Sequence, residues 1–442
     1  MKIQPAKSLR GTINLPGDKS ISHRAAILSA MAEGDARIEN FATGADCAST
    51  LDCLQSLGVE IKRENTTIFV RGVGKTGFQK PKTALDCSNS GTTLRLLAGV
   101  LAGQNFDSVL TGDRSLQKRP MRRIIEPLTE MGAKIRAENN CAPLAICGKN
   151  PLESITYALP VASAQVKSCI LLAGLNARNK TEVRSPDSKL KIPNSRNHTE
   201  LMLQYLGAEI EENFVETENG FAHQVSVTGD SNLTARELQI PSDISSAAFF
   251  IVAAACLKNS EIVLQNVGLN PTRVAIIEVL RGFGAEIEVL HRREICNETV
   301  GDLLVRRREN FAPKVSSNKI GGEIIANIID EIPILAIFGS QIENGLEVRG
   351  AQELRVKESD RIAAIVENLR RMNADVEAFP DGFLVRKSNL KGATIDSFGD
   401  HRIAMAFSIA ALFAVGETEI AGADCASVSF PEFFQVLRQI TK

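Results

Sequence analysis

The sequence is 442 residues long and carries 51 Lys and Arg against 52 Asp and Glu, so its formal net charge is −1. Hydrophobic residues make up 44% and charged residues 23%, proportions typical of a folded globular protein rather than a disordered or collagen-like one. Aromatic residues are only 5%, and the balanced charge does not favour nucleic acid or an anionic membrane surface as a partner. These numbers indicate an enzyme or small-ligand binder of about two to four domains.

The cysteines and the N-terminus both bear on location. There are nine Cys and no C-x-x-C pair, which predicts reduced thiols in a reducing compartment rather than disulfides or zinc ligands. The N-terminus lacks the apolar segment of a signal peptide, and the longest apolar runs, about 11–13 residues, are too short to cross a bilayer. We therefore expect a cytoplasmic protein with no metal and no membrane partner.

A short element recurs along the chain, with the approximate pattern Leu-x-x-(aromatic, Leu or Met)-Gly-Ala-x-Ile. The pattern predicts an amphipathic helix that ends at Gly or Asn, residues that tolerate the left-handed backbone conformation, followed by a strand. Five copies lie about 74 to 89 residues apart and a truncated sixth copy follows, which indicates a repeat architecture. The copies occupy residues 54–61, 128–135, 203–210, 280–287, 369–376 and 437–440.

Each repeat also contains a second strand and a second, almost wholly apolar helix. A helix that is apolar on every side must be buried on every side, so each repeat is predicted to pack an inner and an outer helix against a short mixed sheet. Six such units predict two pseudo-symmetric halves of three units each. The predicted second strands are 67–71, 144–147, 224–228, 303–306 and 383–386, and the predicted inner helices are 21–32, 93–102, 166–175, 247–257, 332–338 and 403–415.

Polar residues precede each apolar helix, at 17–20, 89–92, 163–165, 242–246, 330–331 and 400–402. Ser, Thr and Asp at these places are suited to capping helix N-termini, and capping alone is one interpretation. Capping does not, however, require Lys19, Arg24, Gln165 or Arg402. Since a helix N-terminus has free N–H donors and a partial positive charge, it binds phosphate or carboxylate readily. The second interpretation is a cleft that binds several anions, with acidic residues offsetting its charge elsewhere.

Two further basic clusters have no capping explanation. Residues 118–123 place positive charge at the start of an amphipathic helix, where the helix dipole disfavours it, and residues 354–361 combine Arg, Lys, Glu and Asp in one short segment. A solvated charged face and a salt-bridged turn are the simpler interpretations. The alternative is a site that holds an anion and, in the second cluster, moves protons. Residues 72–76 resemble the end of a P-loop but lack its first glycine, so we predict a loop there.

The segments 15–24, 89–92, 117–121, 354–361 and 400–402 together resemble the EPSP synthase family of enolpyruvyl transferases, in the family's order and over essentially the whole chain. The resemblance implies a mixed α/β fold, a two-domain inside-out α/β barrel of six β-α-β-α-β-β repeats, three per domain, that closes over its substrates. It implies a discontinuous domain I of residues 1–17 plus 239–442, a domain II of residues 18–238, and hinges near 16–18 and 236–241. A monomer without cofactor or metal is expected.

The resemblance also implies a reaction and the residues that carry it out. The enolpyruvyl group of phosphoenolpyruvate is transferred to the 5-hydroxyl of shikimate 3-phosphate through a tetrahedral ketal, with release of phosphate, in the shikimate pathway of aromatic amino acid biosynthesis. The residues implied for shikimate 3-phosphate are Ser20, Arg24, Ser163, Gln165 and Arg196, and those for phosphoenolpyruvate are Lys19, Gly91, Arg119, Arg361 and Arg402. The implied base is Asp330 and the implied acid is Glu358, assisted by Lys357 and Lys19, and both Asp330 and Lys357 are also expected to contact substrate.

Three positions depart from the family pattern. Ala164 stands where many members have Ser, Glu353 where others have Asn, and Val428 where some have a Lys that contacts phosphoenolpyruvate. Gly91 keeps the small residue that the family links with glyphosate sensitivity.

Two other functions stay open. One is enolpyruvyl transfer to UDP-N-acetylglucosamine, whose enzymes typically carry a Cys where residues 111–115 have none, and the other is a non-catalytic binding protein on the same fold.

Overall fold

The computed structural model describes residues 1–189, 191, 193, 195–307, 315 and 317–442. Over these residues the chain divides into two compact units. Unit 1 comprises Met1–Pro16, Pro241–Glu294 and Thr299–Lys442, and unit 2 comprises Gly17–Ile240 and Ile295–Glu298. Both ends of the sequence therefore belong to unit 1, and the four-residue segment Ile295–Glu298, which interrupts the ranges of unit 1, belongs to unit 2.

Unit 2 is built around three helices that are buried along almost their whole length, because their sequences offer no polar face to solvent. The buried helices are α1 (Lys19–Met31), α3 (Gly91–Ala102) and α5 (Ala164–Gly174), and the more exposed ones are α2 (Ala45–Ser56), α4 (Arg122–Glu130) and α6 (His198–Tyr205). Helix α1 packs against α2, α3 and α6, and α3 packs against α5. The predicted inner helices of this half are confirmed to within two residues at each end.

The strands of unit 2 are mostly short. They are β3 (Glu33–Glu39), β4 (Glu60–Glu64), β5 (Thr67–Val73), β6 (Leu85–Asp86), β7 (Asp107–Thr111), β8 (Lys134–Arg136), β9 (Leu144–Cys147), β10 (Thr156–Ala158), β11 (Lys180–Arg184), β12 (Ile210–Thr217), β13 (Gly220–Thr228) and β14 (Leu238–Gln239). The segment predicted as a loop at 72–76 contains the end of β5 and the loop that follows it, and no helix follows as a P-loop would require.

Unit 1 follows the same plan. Its buried helices are α7 (Ile244–Cys256), α10 (Ile332–Gly339) and α12 (His401–Ala411), and its other helices are α8 (Ala275–Gly282), the short α9 (Ile324–Ile328), α11 (Arg361–Arg371) and α13 (Phe433–Ile440). The predicted helix 403–415 is wrong at its C-terminal end by four residues. The apolar pattern continues past Ala411, but the chain turns there and Val415 is 75% exposed.

The strands of unit 1 include two near the N-terminus of the chain. They are β1 (Lys2–Ile3), β2 (Arg10–Asn14), β15 (Glu261–Gly268), β16 (Glu286–Ile295), β17 (Glu298–Arg306), β18 (Lys319–Ile320), β19 (Leu346–Val348), β20 (Val376–Phe379), β21 (Gly382–Val385), β22 (Thr394–Asp396) and β23 (Thr418–Ala421). The tip of the β16–β17 hairpin is the segment Ile295–Glu298 that is grouped with unit 2.

Within the described ranges the strands form six small sheets, with the orders β14-β3-β5-β4, β6-β7-β9-β8, β10-β11-β13-β12, β16-β17-β15-β2, β18-β19-β21-β20 and β1-β23-β22. The same arrangement recurs: a parallel pair, such as β14 with β3, is extended by an antiparallel hairpin, such as β4 with β5. In the three-stranded sheet the parallel pair is β22 with β23, and β1 pairs antiparallel with β23. The fold is therefore a mixed α/β fold in two units.

Most of the buried helices begin at capping residues, and the helices in the complete copies of the recurring element end at Gly or Asn, as the sequence pattern predicts. Asp18, Ser90, Ser163, Asp243 and Asp400 each accept a hydrogen bond from a backbone N–H in the first turn of the buried helix that follows. At the other end of the predicted recurring element, Gly58, Gly132, Gly207, Gly284 and Asn373 all have positive φ. The backbone there is left-handed, a conformation that Gly or Asn adopts at least cost.

Each unit has its own apolar core. In unit 1, Phe250 of α7 is fully buried, and its ring centroid lies 6.2 Å from that of Phe430 and 5.7 Å from that of Phe433. All nine cysteines are free thiols. Cys169 lies inside the core of unit 2 and Cys256 packs against the core of unit 1, and burial raises the pKa of each thiol to about 12.

Replacing Phe250 by Ala should lower the free energy of unfolding of unit 1 by about 3–5 kcal/mol, because the neighbouring rings cannot collapse into the space that is left. Urea denaturation followed by circular dichroism measures the change. Val415→Ala, at an exposed apolar position in the same unit, is the control and should change stability by less than about 0.5 kcal/mol. Equal effects of the two substitutions would contradict the described packing.

Candidate active site

The first turn of α1 places Lys19 and Ser20 at the polar end of a buried helix, since Asp18 accepts from Ile21 N at 2.9 Å. Lys19 Nζ lies 2.8 Å from Oδ2 of Asp46, a buried carboxylate in the first turn of α2. The charge of Lys19 is thus compensated by a carboxylate at the start of a neighbouring helix in the same unit.

Arg24 is a buried guanidinium held on three sides. Its Nε donates to Thr199 Oγ1 at 2.7 Å, its Nη2 to Ser168 Oγ at 2.8 Å and its Nη1 to Ser20 O at 2.9 Å. Arg196 reaches the same corner, with Nη1 3.4 Å from Ser20 Oγ. Burial lowers the pKa of Arg24 to about 10, which still leaves it charged near neutral pH. These contacts use three of the five N–H donors of a guanidinium.

Gln165 has its carboxamide fixed at both ends. Its Oε1 accepts from Arg95 Nη1 at 2.8 Å, and its Nε2 donates to Thr92 Oγ1 at 2.9 Å. Because an arginine side chain can only donate, the amide oxygen must face Arg95, and the amide nitrogen therefore faces Thr92. Ser163, two residues earlier, is the cap of α5.

Gly91 begins α3 beneath two guanidinium groups. A Cβ added there would lie 2.6 Å from Arg95 Nη1 and 3.4 Å from Arg119 Nη1. Arg119 is itself oriented by Asn89, whose Oδ1 accepts from its Nη2 at 2.8 Å. Two cations close to the positive end of a helix repel that end, so the arrangement is suited to an anion that neutralises all three.

His23 lies in the buried part of α1 and is not a candidate for acid–base catalysis. The ring is fully buried, and Nδ1 is 2.7 Å from Thr50 Oγ1. Burial lowers the pKa of His23 to about 3, so the ring is neutral near pH 7 and its role is to pack and to hydrogen-bond.

In unit 1, Arg361 begins α11 with 1% exposure and lies among three carboxylates. Its Nε donates to Asp400 Oδ2 at 2.8 Å and its Nη2 to Glu358 Oε2 at 2.6 Å, and its Nη1 lies 3.5 Å from Asp330 Oδ1. Burial by itself lowers the pKa of Arg361, but these carboxylates outweigh it and raise the pKa above the usual range. Asp400 also accepts from Arg402 N at 2.9 Å, so one carboxylate orients the starts of both α11 and α12.

Asp330 lies between two guanidinium groups. Besides the contact with Arg361, its backbone oxygen accepts from Arg402 Nη1 at 2.8 Å, and its Oδ2 lies 3.6 Å from Arg402 Nη2. Asp330 is partly exposed whereas both arginines are buried. A carboxylate in this position can accept a proton from a bound hydroxyl while the two cations hold an anion beside it.

Lys357 follows the short 3-10 turn Gln352–Val356 and belongs to the same cluster. Burial lowers the pKa of Lys357; Asp330 and Glu353 oppose that shift, and Arg361 adds to it. An amine with a lowered pKa transfers protons near neutral pH more readily than an ordinary lysine.

The predicted site residues thus fall into two groups, one in each unit. In unit 2 they lie at the starts of α1, α3 and α5 and in the segments before α4 and α6, and they are Lys19, Ser20, Arg24, Gly91, Arg119, Ser163, Gln165 and Arg196. In unit 1 they form a cluster centred on Arg361, and they are Asp330, Lys357, Glu358, Arg361 and Arg402. We expected acidic residues to offset these cations elsewhere in the chain. For Lys19 and Arg361 that expectation was wrong, because a compensating carboxylate lies directly beside each cation.

Three residues of these clusters were not singled out from the sequence. Asp46 carries no local signal beyond its place near a helix start. Arg95 was detectable as a single charge inside the apolar helix α3, one turn after Gly91. Asp400 was noted only as part of a polar lead-in, although its carboxylate is fully buried against Arg361.

Two structural findings concern other chemistries. In the part of the chain that the structure describes, no group of three or more His, Cys, Asp or Glu side chains is placed to hold a metal ion. Over the same residues, no helix combines the length and the apolar composition needed to cross a membrane.

The fold and these clusters bring cations together at helix N-termini, an arrangement suited to small, multiply charged anions, and place a carboxylate and an amine beside the cations of unit 1. The sequence model of the family described as EPSP synthase (3-phosphoshikimate 1-carboxyvinyltransferase) matches residues 3–437. The chain belongs to the EPSP synthase family.

Individual relatives agree over their full lengths. The chain is 48% identical to a 3-phosphoshikimate 1-carboxyvinyltransferase of Solibacter usitatus, over 100% of this chain and 99% of that protein. It is 49% identical to one of Pelotomaculum thermopropionicum, over 100% and 98%. A solved EPSP synthase structure from Acinetobacter baumannii matches with a TM-score of 0.85 at 39% identity, covering 100% of this chain and 98% of that one.

The Lys357 amine should titrate below the value of about 10.4 that is usual for lysine, because burial disfavours its charged form. The folded chain then releases this proton at a lower pH than the unfolded chain does, so the contribution of Lys357 to stability rises with pH between the two pKa values. NMR titration of ¹³C-labelled lysine side chains measures the midpoint. Lys62 is the control, since its pKa is raised by hydrogen bonding to Glu64; a Lys357 midpoint at or above that of Lys62 would contradict the placement.

Proposed function

We propose that this chain transfers the enolpyruvyl group of phosphoenolpyruvate to the 5-hydroxyl of shikimate 3-phosphate and releases phosphate, as a 3-phosphoshikimate 1-carboxyvinyltransferase like its relatives. The observation that carries the proposal is Asp330, a carboxylate 3.5 and 3.6 Å from the guanidinium groups of Arg361 and Arg402, in a chain that matches the family from end to end. The two substrates together bring two phosphates and two carboxylates, which accounts for so many cations in a chain of near-zero net charge.

The proposed binding roles divide between the units. In unit 2, shikimate 3-phosphate is assigned to Ser20, Arg24, Ser163, Gln165 and Arg196, and phosphoenolpyruvate to Lys19, Gly91 and Arg119. In unit 1, Arg361 and Arg402 are assigned to phosphoenolpyruvate. Two features support these roles: arginines bind carboxylate and phosphate through paired N–H groups, and the starts of α1, α3 and α5 carry N–H donors for the same anions.

The proposed chemistry has two steps. In the addition, Asp330 takes the proton of the 5-hydroxyl as its oxygen bonds to C2 of phosphoenolpyruvate, and the methylene carbon gains a proton from Glu358. In the elimination, the bond from C2 to the phosphate oxygen breaks and the methyl carbon gives a proton back. Arg361 lies 2.6 Å from Glu358 and stabilises its charged form, so Lys357, with its lowered pKa, and Lys19 assist the proton movement. The mechanism requires no cofactor.

We further propose the architecture that the family resemblance implies. It has six β-α-β-α-β-β repeats in an inside-out barrel, with domain I at 1–17 plus 239–442, domain II at 18–238 and hinges near 16–18 and 236–241. The recurring sheet topology and the unit limits Pro16/Gly17 and Ile240/Pro241 support this division. The assigned roles need no second copy of the chain, so we propose a cytoplasmic monomer.

Asp330→Ala and Glu358→Gln should each leave the fold intact and lower turnover by about a hundredfold or more, the usual contribution of a general base or acid. Phosphate release from phosphoenolpyruvate in the presence of shikimate 3-phosphate measures turnover, and the melting temperature checks the fold. Asp375→Ala and Glu343→Gln, at exposed carboxylates of the same unit, are the matched controls and should keep wild-type rates.

The same assay separates the alternatives. Phosphate release with UDP-N-acetylglucosamine in place of shikimate 3-phosphate would show the related enolpyruvyl transfer instead. If no phosphate is released with either acceptor, the protein only binds. Wild-type turnover in Asp330→Ala or Glu358→Gln would refute the role assigned to that residue.

Glyphosate should inhibit the wild-type chain, and Gly91→Ala should reduce that inhibition, because a Cβ at this position lies 2.6 Å from Arg95 Nη1 and forces the guanidinium to move. Inhibition curves at fixed phosphoenolpyruvate measure both effects. Gly321→Ala, where the new Cβ meets its nearest neighbour at an ordinary 3.6 Å, is the control. A wild-type curve that stays flat into the millimolar range would overturn the expectation.

A further inference from the structure

Two acidic residues precede α10, and the proposed mechanism uses only the first of them. Glu331 occupies the N-cap position of α10, yet its side chain makes no capping hydrogen bond. The carboxylate is instead 1% exposed and turned toward the start of α7 and toward Arg273. A buried carboxylate that does not stabilise its own helix requires another explanation.

Glu331 is the end of a hydrogen-bonded chain whose direction is set by chemistry. Arg273 Nη2 donates to Ser245 Oγ at 2.6 Å, and because arginine cannot accept, the hydroxyl must use its own proton elsewhere. That proton goes to Glu331 Oε1, which forms a short hydrogen bond with Ser245 Oγ. Asp243 fixes the backbone beneath, with Oδ1 accepting from Ser245 N at 2.8 Å. Arg273, Ser245 and Glu331 are all at most 5% exposed.

The other neighbour of Glu331 is a site residue. Its Oε1 lies 3.9 Å from Arg402 Nη1, the same nitrogen that donates to the backbone oxygen of Asp330 at 2.8 Å. Over the described residues, the ion pairs of Arg402 run to Asp330 and to Glu331. Glu331 therefore supplies one of the two carboxylates that hold the Arg402 guanidinium.

This second carboxylate affects how Arg402 can act. If Asp330 alone held Arg402, the guanidinium would be drawn toward the carboxylate that is proposed as the base, and both groups would lose freedom to meet substrate. Because Ser245 and Arg273 hold the Glu331 carboxylate in place, its negative charge can orient the Arg402 guanidinium without a contribution from the Asp330 carboxylate. The arrangement resembles the second layer of contacts that orients a ligand-binding group in many sites.

We propose that Glu331 is a positioning residue for phosphoenolpyruvate, acting through Arg402 and held in place by Ser245 and Arg273. The inference rests on the proposed function, because it assigns Arg402 to that substrate. It predicts an effect on one substrate rather than on both, since the residues assigned to binding shikimate 3-phosphate lie in unit 2, whereas Glu331 and Arg402 lie in unit 1.

The test begins with Glu331→Gln, which keeps the size of the side chain and an oxygen that can accept from Ser245. Its KM for phosphoenolpyruvate should rise about tenfold, the effect of losing roughly 1.4 kcal/mol of binding, while its KM for shikimate 3-phosphate stays within about twofold of wild type. Glu331→Asp, which retains the charge on a shorter chain, should recover part of the loss. A rise in both KM values, or in neither, would overturn the proposal.

Ser245→Ala gives an independent measurement if the Glu331 variants fold poorly, because it removes a single hydroxyl. It should also raise the KM for phosphoenolpyruvate selectively, and its effect should add incompletely to that of Glu331→Gln, since both act through one contact. Ser408→Ala is the matched control, a fully buried serine of α12 whose hydroxyl bonds to Ala404 O. If Ser245→Ala and Ser408→Ala lower the melting temperature alike and leave both KM values unchanged, the role is structural and the proposal fails.

Failure of the proposed function gives a different result. Absence of wild-type turnover with shikimate 3-phosphate would refute the function itself. Calorimetric titration of wild type and Glu331→Gln with phosphoenolpyruvate alone and with inorganic phosphate alone needs no turnover. Weaker binding of phosphoenolpyruvate by the variant supports the positioning role, and equal binding by the two proteins overturns it.

Discussion

A buried guanidinium group is costly unless carboxylates or hydrogen-bond acceptors compensate its charge, and this constraint governs the cluster around Arg361 in unit 1. Arg361 is 1% exposed, and Asp400, Glu358 and Asp330 surround it. Removing one member of such a cluster leaves an uncompensated charge in a poorly solvated place. The starts of α11 and α12 and the Asp330 side chain are therefore held relative to one another by electrostatics as well as by the apolar packing of the helices.

The same constraint explains the composition of the chain. Its formal net charge is −1, although both units gather cations at helix starts. The structure shows that the balance is local, with Lys19 against Asp46 in one unit and Arg361 against Asp400 in the other. Local pairing keeps these cations oriented, so the donors that are proposed to bind substrate are already in position.

How much the sequence could predict depended on the range of the interactions. The buried helices were predicted because an all-apolar pattern is local, and their caps were predicted because Ser and Asp act on the next turn. The family resemblance, rather than any spacing rule, identified Asp330 and Glu358. The contacts of Asp46, Arg95 and Glu331 join residues that are distant in the chain, and so does the membership of Ile295–Glu298 in unit 2. No local pattern encodes such pairings.

The placement of both chain ends in unit 1 has a consequence for biosynthesis. Strand β1 pairs with β23, and Leu9 bridges to Thr441, so each of these early segments can pair only after a partner far later in the sequence has been synthesised. Unit 2 is made almost entirely from the continuous stretch Gly17–Ile240. Because domains generally fold as they are synthesised, the helix starts of unit 2 that are proposed to bind anions form early. The cluster around Arg361 forms only near the end of translation, so a truncated nascent chain can present the groups proposed for binding in unit 2 without the base and acid proposed in unit 1.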